Sequence, residues 1–235
     1  VRPVIHPLKE HSLETSSKEY LQPATVIDSD HPAVVEFARS AAAGASGERE
    51  RAVAVYYAVR DGFRYDPYTV DLSDAGLSAS GVIRLGRGWC VSKAALLAAA
   101  CRAAGVPARV GYADVRNHLS TERMRQLMQT DVFYWHGYTS ILLDGSWVKA
   151  TPAFNIELCT RFGLRPLEFD GREDSIYHPF DLSGNRHMEY LAFRGEFADV
   201  PSAIIRADFA RHYPQLARLG QANFDSDVAR EAHAG

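Results

Sequence analysis

From Cys90 to Ala104 the chain is dominated by Ala, Leu, Lys and Arg, and Gly105 and Pro107 follow directly. Ala and the long unbranched side chains lose least on entering a helix, Gly supplies a left-handed stop, and Pro forbids continuation. This is the strongest helical signal in the sequence, and it sets Cys90 in the first turn of a long helix.

Helices are expected before it and strands after it. Asp30 followed by Pro32 reads as an N-cap with Pro in the first turn, and Val34, Val35, Phe37, Ala38 and Ala41 recur at helical spacing until Gly44. Ser46 can cap a second helix, with Glu48 and Glu50 in its first turn, a stripe of Val53, Val55, Tyr56 and Val59, and a stop at Gly62. Phe63-Arg64-Tyr65 reads as a short strand. Ala108 to Val115 alternates like a strand, a short helix covers Thr121 to Gln129, and Val132 to Leu143 has the β-branched and aromatic content of a long strand. Asp144-Gly145 favours a two-residue type I′ turn that folds this strand back onto Trp147 to Thr151. Counting from that loop puts His136 opposite Ala153 and diagonal to Thr151 if pairing persists, with Pro152 the place where it can end early. Beyond it the pattern predicts a helix near Ile156 to Phe162, a loop at Asp170-Gly171, a strand near Met188 to Phe193 and a helix from Pro201 to about Tyr213.

The chain has 235 residues, 46% of them hydrophobic, which is ample for a core of its own. With no internal repeat and no long linker, residues 1–235 are expected to form a single domain with a core over about 30–155, an N-terminal arm (1–29) and a C-terminal extension (156–235). Pro3, Pro7 and Pro23 suit an extended arm or edge strand. A net charge of -3 leaves no basic surplus for a phosphate backbone or an anionic membrane face, so neither nucleic acid nor membrane is an expected partner. No oligomeric state is read from the sequence. No apolar run approaches the roughly 20 residues needed to cross a bilayer, and Val1 to Glu10 lacks the pattern of a secretory signal. Cys90, Cys101 and Cys159 are an odd number without CxxC spacing, so reduced thiols and a cytoplasmic location are expected, with no zinc site. Asp66, Asp71 and Asp74 lack the spacing of a calcium loop. No metal and no cofactor are assigned.

A helix N-terminus favours a thiolate, because unpaired backbone N–H groups and the macrodipole present positive charge there. Cys90 is expected to occupy such a place, with its own backbone N–H as an oxyanion donor and Gly88 allowing close approach of substrate. Cys101 lies eleven residues on, roughly 16 Å along the axis, among Ala and Leu, and is expected to be an inert core residue, as is Cys159. Of nine histidines, His136 is the one that lies mid-strand among aromatic residues, in Phe133-Tyr134-Trp135-His136.

Gly88-Trp89-Cys90, the Ala-rich helix and Arg102-Ala103-Ala104-Gly105-Val106-Pro107-Ala108-Arg109 resemble the nucleophile helix of the transglutaminase-like superfamily, whose pattern is G-x-C, a greasy helix and R-x-x-G-[IV]-P-A-R. The resemblance continues with His136 on the next long strand and Trp147-Val148 after a tight turn, and covers approximately Phe63 to Pro152. It implies an α+β, papain-like core in which the nucleophile helix packs on an antiparallel sheet that carries the histidine and an acidic partner. Cys90 then inherits the nucleophile role and His136 the general base and acid role. The family's third residue is usually an aspartate just after the second strand's Trp, where this chain has Thr151. A threonine hydroxyl can accept the histidine's other N–H but supplies no negative charge. Asn155 is the rival orienter, since an amide oxygen can hold an imidazole; Asp170 and Asp174 could reach back from their loop.

The expected function is that of a transglutaminase-like cysteine protease or amidase: acyl transfer through a Cys90 thioester, with hydrolysis favoured over transamidation. The resemblance implies a peptide, a protein or a small amide as substrate. The alternative, motivated by the missing aspartate, is a weak or inactive domain of the same type that binds peptide or protein in the inherited cleft. Asp181 to Tyr190 gathers His, Arg and Glu, and reads either as cleft lining or as a surface turn.

Overall fold

The computed structural model describes residues 17–117, 120–176, 182–184, 188–216 and 222–232. In chain order the elements are α1 (Pro32–Ala41), α2 (Glu48–Gly62), β1 (Arg64–Tyr65), α3 (Asp74–Leu77), α4 (Ala79–Leu85), β2 (Arg87–Gly88), α5 (Cys90–Ala103), β3 (Ala108–Asn117), α6 (Glu122–Met128), β4 (Val132–Leu143), β5 (Ser146–Ala150), α7 (Ile156–Phe162), β6 (Met188–Phe197), α8 (Ser202–His212) and α9 (Phe224–Ala232).

α5 organises the molecule. Every residue from Cys90 to Arg102 is buried, because a helix apolar around its whole circumference has to be enclosed on all sides. α1, α2 and α4 cover one side of it, and β4 and β3 cover the other. Two basic side chains run inside this packing, and each donates hydrogen bonds to backbone carbonyls. Lys93 Nζ donates to the carbonyls of Arg60, Phe63 and Ala153 at 2.9, 2.6 and 2.9 Å. Arg102 donates to Ala108, Gln22 and Ala198 at 2.8, 2.6 and 2.5 Å, so one guanidinium ties the start of β3 to a segment before α1 and to the residue after β6. The helix ends as expected: Gly105 takes φ +77°, and the Val106 N–H returns to the Cys101 carbonyl at 2.8 Å.

The main sheet has the order β5-β4-β3-β6, antiparallel throughout. Asp144 and Gly145 both have positive φ, 49° and 78°, as a type I′ loop requires, and pairing runs from Leu143↔Ser146 to Thr139↔Ala150 in the counted register. It does not continue to His136 and Ala153. At Thr151 the backbone N–H turns to the Ser175 carbonyl at 2.9 Å, Pro152 has no N–H to give, and the Ala153 carbonyl is held by Lys93. His136 pairs instead with Ala113 on β3.

Cap residues differ from expectation. The N-cap of α1 is His31, whose Nδ1 accepts from the Ala33 N–H, and not Asp30. Gly47 caps α2, while Ser46 is occupied with Glu50 through its N–H and hydroxyl, both at 2.8 Å. α3 and α4 were not anticipated; their caps Ser73 and Ser78 each accept a backbone N–H, from Gly76 and Gly81, at 3.1 Å. One hydrophobic cluster runs from Val26 and Ile27 through α5 to Ile205, Phe209, Phe224 and Val228, so segments on either side of residues 30–155 close the same core. The first sixteen residues, and most of the polar stretch from Asp181 to His187, lie outside the described residues. Among the described residues no helix is long and apolar enough to cross a membrane.

Candidate active site

Short parallel pairing of β1 with β2, Tyr65 opposite Gly88, brings Tyr65 to the entry of α5. Ser92 holds that entry in shape: its hydroxyl accepts the Trp89 N–H at 3.1 Å, and Gly88 leaves room for that hydroxyl. Cys90 follows as the first helical residue and is 8% exposed; His136 on β4 is 4% exposed. Both line one cavity.

The thiol lies against β4. Burial pushes the Cys90 thiol up to about 11, and the backbone N–H groups of Gly137, Val91 and Cys90 itself pull the other way. The helix N-terminus favours a thiolate, and burial of the sulfur works against it and outweighs those donors. Deep in the same helix, Cys101 is fully buried with a thiol pushed up to about 12, as expected of a packing residue. Burial likewise raises Cys159 to about 11. All three cysteines are free.

Close approach of β4 to α5 depends on Gly137. A Cβ there would lie 2.9 Å from the Cys90 carbonyl oxygen and 3.0 Å from the Val91 Cα. A glycine immediately after a strand histidine is the signal that could have revealed this contact, since glycine inside a strand marks close approach of another backbone. On the other side of His136 stands Trp135 at φ +63°, a bulky residue in the left-handed region, where the β3–β4 register shifts. Its backbone N–H is accepted by Asp114 Oδ1 at 3.2 Å and its indole N–H by Asp208 at 2.8 Å. Arg194 bridges the two carboxylates at 2.5 and 2.7 Å. The ring of His136 stands edge-on to Tyr190, with centroids 6.3 Å apart.

Trp89, read from the sequence only as part of a motif, also lines the cavity, and its indole N–H is buried with no hydrogen-bond partner among the described residues. Thr151 and Asn155 are buried but do not line that cavity. The Thr151 hydroxyl has no partner among the described residues, whereas Asn155 Oδ1 accepts the Tyr65 N–H at 3.1 Å. Asp170 accepts the N–H groups of Arg172 and Glu173 in its own turn, and Asp174 accepts the Lys149 N–H at 2.8 Å. Asp66, Asp71 and Asp74 are each engaged separately, by Arg87, the Ser73 N–H and Arg206. Among the described residues no group of three or more His, Cys, Asp or Glu could hold a metal ion.

A cysteine-headed helix packed on a four-stranded antiparallel sheet is the α+β, papain-like arrangement of transglutaminase-like proteins. The model of the transglutaminase-like superfamily matches residues 35–152, and the chain belongs to that superfamily. A solved structure from Cytophaga hutchinsonii, described as a candidate cysteine protease, is similar over 84% of this chain and 52% of its own, with 20% identity and a TM-score of 0.49. A second, described as a candidate protease from Parabacteroides distasonis, is similar over 61% of this chain and 29% of its own, with 15% identity and a TM-score of 0.37. This chain thus spans about half the length of the first and under a third of the second. Comparison with curated proteins gives no match.

Proposed function

We propose that this chain is a cysteine-dependent acyl-transfer enzyme that hydrolyses a peptide or amide bond, with Cys90 as nucleophile and His136 as general base and acid. The observation that carries this reading is the shared cavity: the first residue of α5 and a β4 histidine open into the same space, with the N–H of Gly137 acting on the sulfur. Because burial raises the thiol, its activation is coupled to attack. His136 takes the proton as Sγ bonds to the carbonyl carbon, and the oxygen of the tetrahedral adduct faces the Cys90 backbone N–H. Trp89, next to Cys90 in the chain, lines the same cavity. Collapse expels the amine, which takes the proton back from His136 and leaves a thioester; water then attacks the thioester and releases the acid and the thiol.

Water is the proposed acceptor because, among the described residues, no carboxylate lines the cavity to receive an alkylammonium. Peptides, proteins and small amides are the proposed substrates. Thr151 is the proposed third member by position, with Asn155 as the alternative. Mass-spectrometric trapping of an acylated Cys90 from peptide pools and cell extract, with Cys90→Ala as blank, tests the whole reading. An adduct confined to Cys90 is expected; its absence across broad pools would make the chain a peptide-binding domain without acyl chemistry.

A further inference from the structure

The cavity around Cys90 and His136 is apolar almost throughout. Met124 and Met128 reach it from successive turns of α6, Phe133 and Tyr134 from β4, and Phe209 and Tyr213 from the C-terminal part of the chain. Among the described residues no Asp, Glu, Lys or Arg lines it. Burial pushes the Tyr65 and Tyr213 phenols above their ordinary range. The enclosed space is small, about 40 Å³, and the rest of the hollow opens to solvent. A second hollow, enclosing about 20 Å³, adjoins it: Tyr65, Pro67, Met124 and Phe133 form a shared wall, Leu158, Phe162 and Phe224 close the far side, and Asn117, Ser120 and Thr121 add a polar edge.

We propose that this pair of hollows, with the apolar mouth around them, is the recognition site for the acyl donor, and that it selects an apolar group next to the reacting carbonyl. The inference rests on Cys90 being the nucleophile and goes on to name the chemistry of what it attacks. An apolar wall beside the sulfur gains by removing apolar substrate surface from water, and it offers nothing to repay the desolvation of a charged side chain. Thioether side chains adapt to differently shaped apolar groups and make favourable contacts with rings, which suits a site that accepts Phe, Leu and Met alike. Met124 and Phe133 belong to both hollows, and they are the specificity-determining residues. Met124, Phe209 and Tyr213 are spread across α6 and α8 with the residue that follows it, so selectivity is assembled from segments on both sides of the long strand that carries the histidine.

The test uses the whole chain and a set of acetyl-capped amino-acid chloromethyl ketones, in which the sulfur displaces chloride and becomes alkylated. Second-order rates for the Phe, Leu, Gly, Glu and Lys reagents are measured beside iodoacetamide, and each adduct is located by mass spectrometry against Cys90→Ala. The Phe and Leu reagents are expected to exceed the Gly reagent by on the order of 10- to 100-fold, with Glu and Lys below Gly. In Met124→Ala the ratio of Phe to Gly is expected to shrink several-fold, and Met124→Leu to restore it. Should the alanine variant fail to fold, the reagent series on the unmodified chain still decides the matter. Phe and Gly reacting equally, or Glu reacting fastest, overturns the apolar site while iodoacetamide labelling of Cys90 keeps the nucleophile reading alive. No labelling of Cys90 by any reagent overturns both.

Discussion

The α-carbon of Gly137 is packed so tightly against the first turn of α5 that a methyl group added to it would come within 2.9 Å of the carbonyl oxygen of Cys90. The residue after the candidate base is thus the spacer that sets how far the candidate nucleophile stands from its strand. Gly137→Ala is expected to lower stability by about 1–3 kcal/mol, the usual cost of overpacking. It should also reduce iodoacetamide labelling of Cys90 below that of Gly111→Ala, where the added methyl meets the Tyr138 ring instead. Urea denaturation and labelling rates check both; equal labelling in the two variants would remove the spacer role.

Reactivity of Cys90 should report on His136 through its pH dependence. A lone thiol held at about 11 gains thiolate, and therefore alkylation rate, by about tenfold for each pH unit on the way up to that value. His136→Ala is expected to follow that climb. The unmodified chain should lie well above it near neutrality, where an imidazole can take the proton. Superimposed profiles for the two proteins would rule out His136 as the base.

Lys93 is fully buried, and three carbonyls at the end of α2, at Phe63 and beyond β5 share its ammonium. Burial lowers it to about 7. Replacing it by Met keeps the packing volume but leaves all three acceptors without a donor, so Lys93→Met is expected to cost about 3–5 kcal/mol, read as a lower urea midpoint. A loss under about 1 kcal/mol would mean that water reaches those carbonyls.

Trp135 pays for its left-handed backbone with support from Asp114, Asp208 and Arg194. Asp114→Ala removes the acceptor of the Trp135 N–H and half of the Arg194 bridge. The yield of acylated Cys90 is expected to fall about tenfold if His136 loses its aim, while alkylation at high pH, which needs no base, persists. Loss of both together would indicate general unfolding, to be seen in the urea midpoint.

The Thr151 hydroxyl is buried without a hydrogen-bond partner among the described residues. Thr151→Val keeps the shape, so stability is expected to hold or rise by up to about 1 kcal/mol, whereas turnover should drop if the hydroxyl orients His136. Unchanged turnover takes the role away from Thr151. Asn155→Ala is expected to behave differently, losing stability because the Tyr65 N–H loses its acceptor.

What could be read in advance were the features written in neighbouring residues. Helix propensity with Gly105 and Pro107 bounds α5, the Asp144-Gly145 pair sets the hairpin and its register, and Val132–Leu143 is the strand its composition predicts. Cys90 in a first turn and His136 mid-strand follow from the same local chemistry. The contents of the cavity depended on long-range packing. Nothing near Phe209 or Tyr213 in sequence says that they meet Met124 and Cys90, and nothing near Cys90 says that the enclosure of its helix outweighs the helix N-terminus and raises the thiol. Propensity, caps and turns act over a few residues and are visible in the chain as written. Burial, the bulge at Trp135 and the end of strand pairing at Ala150 are settled by groups brought together from far apart, so the folded molecule alone decides them.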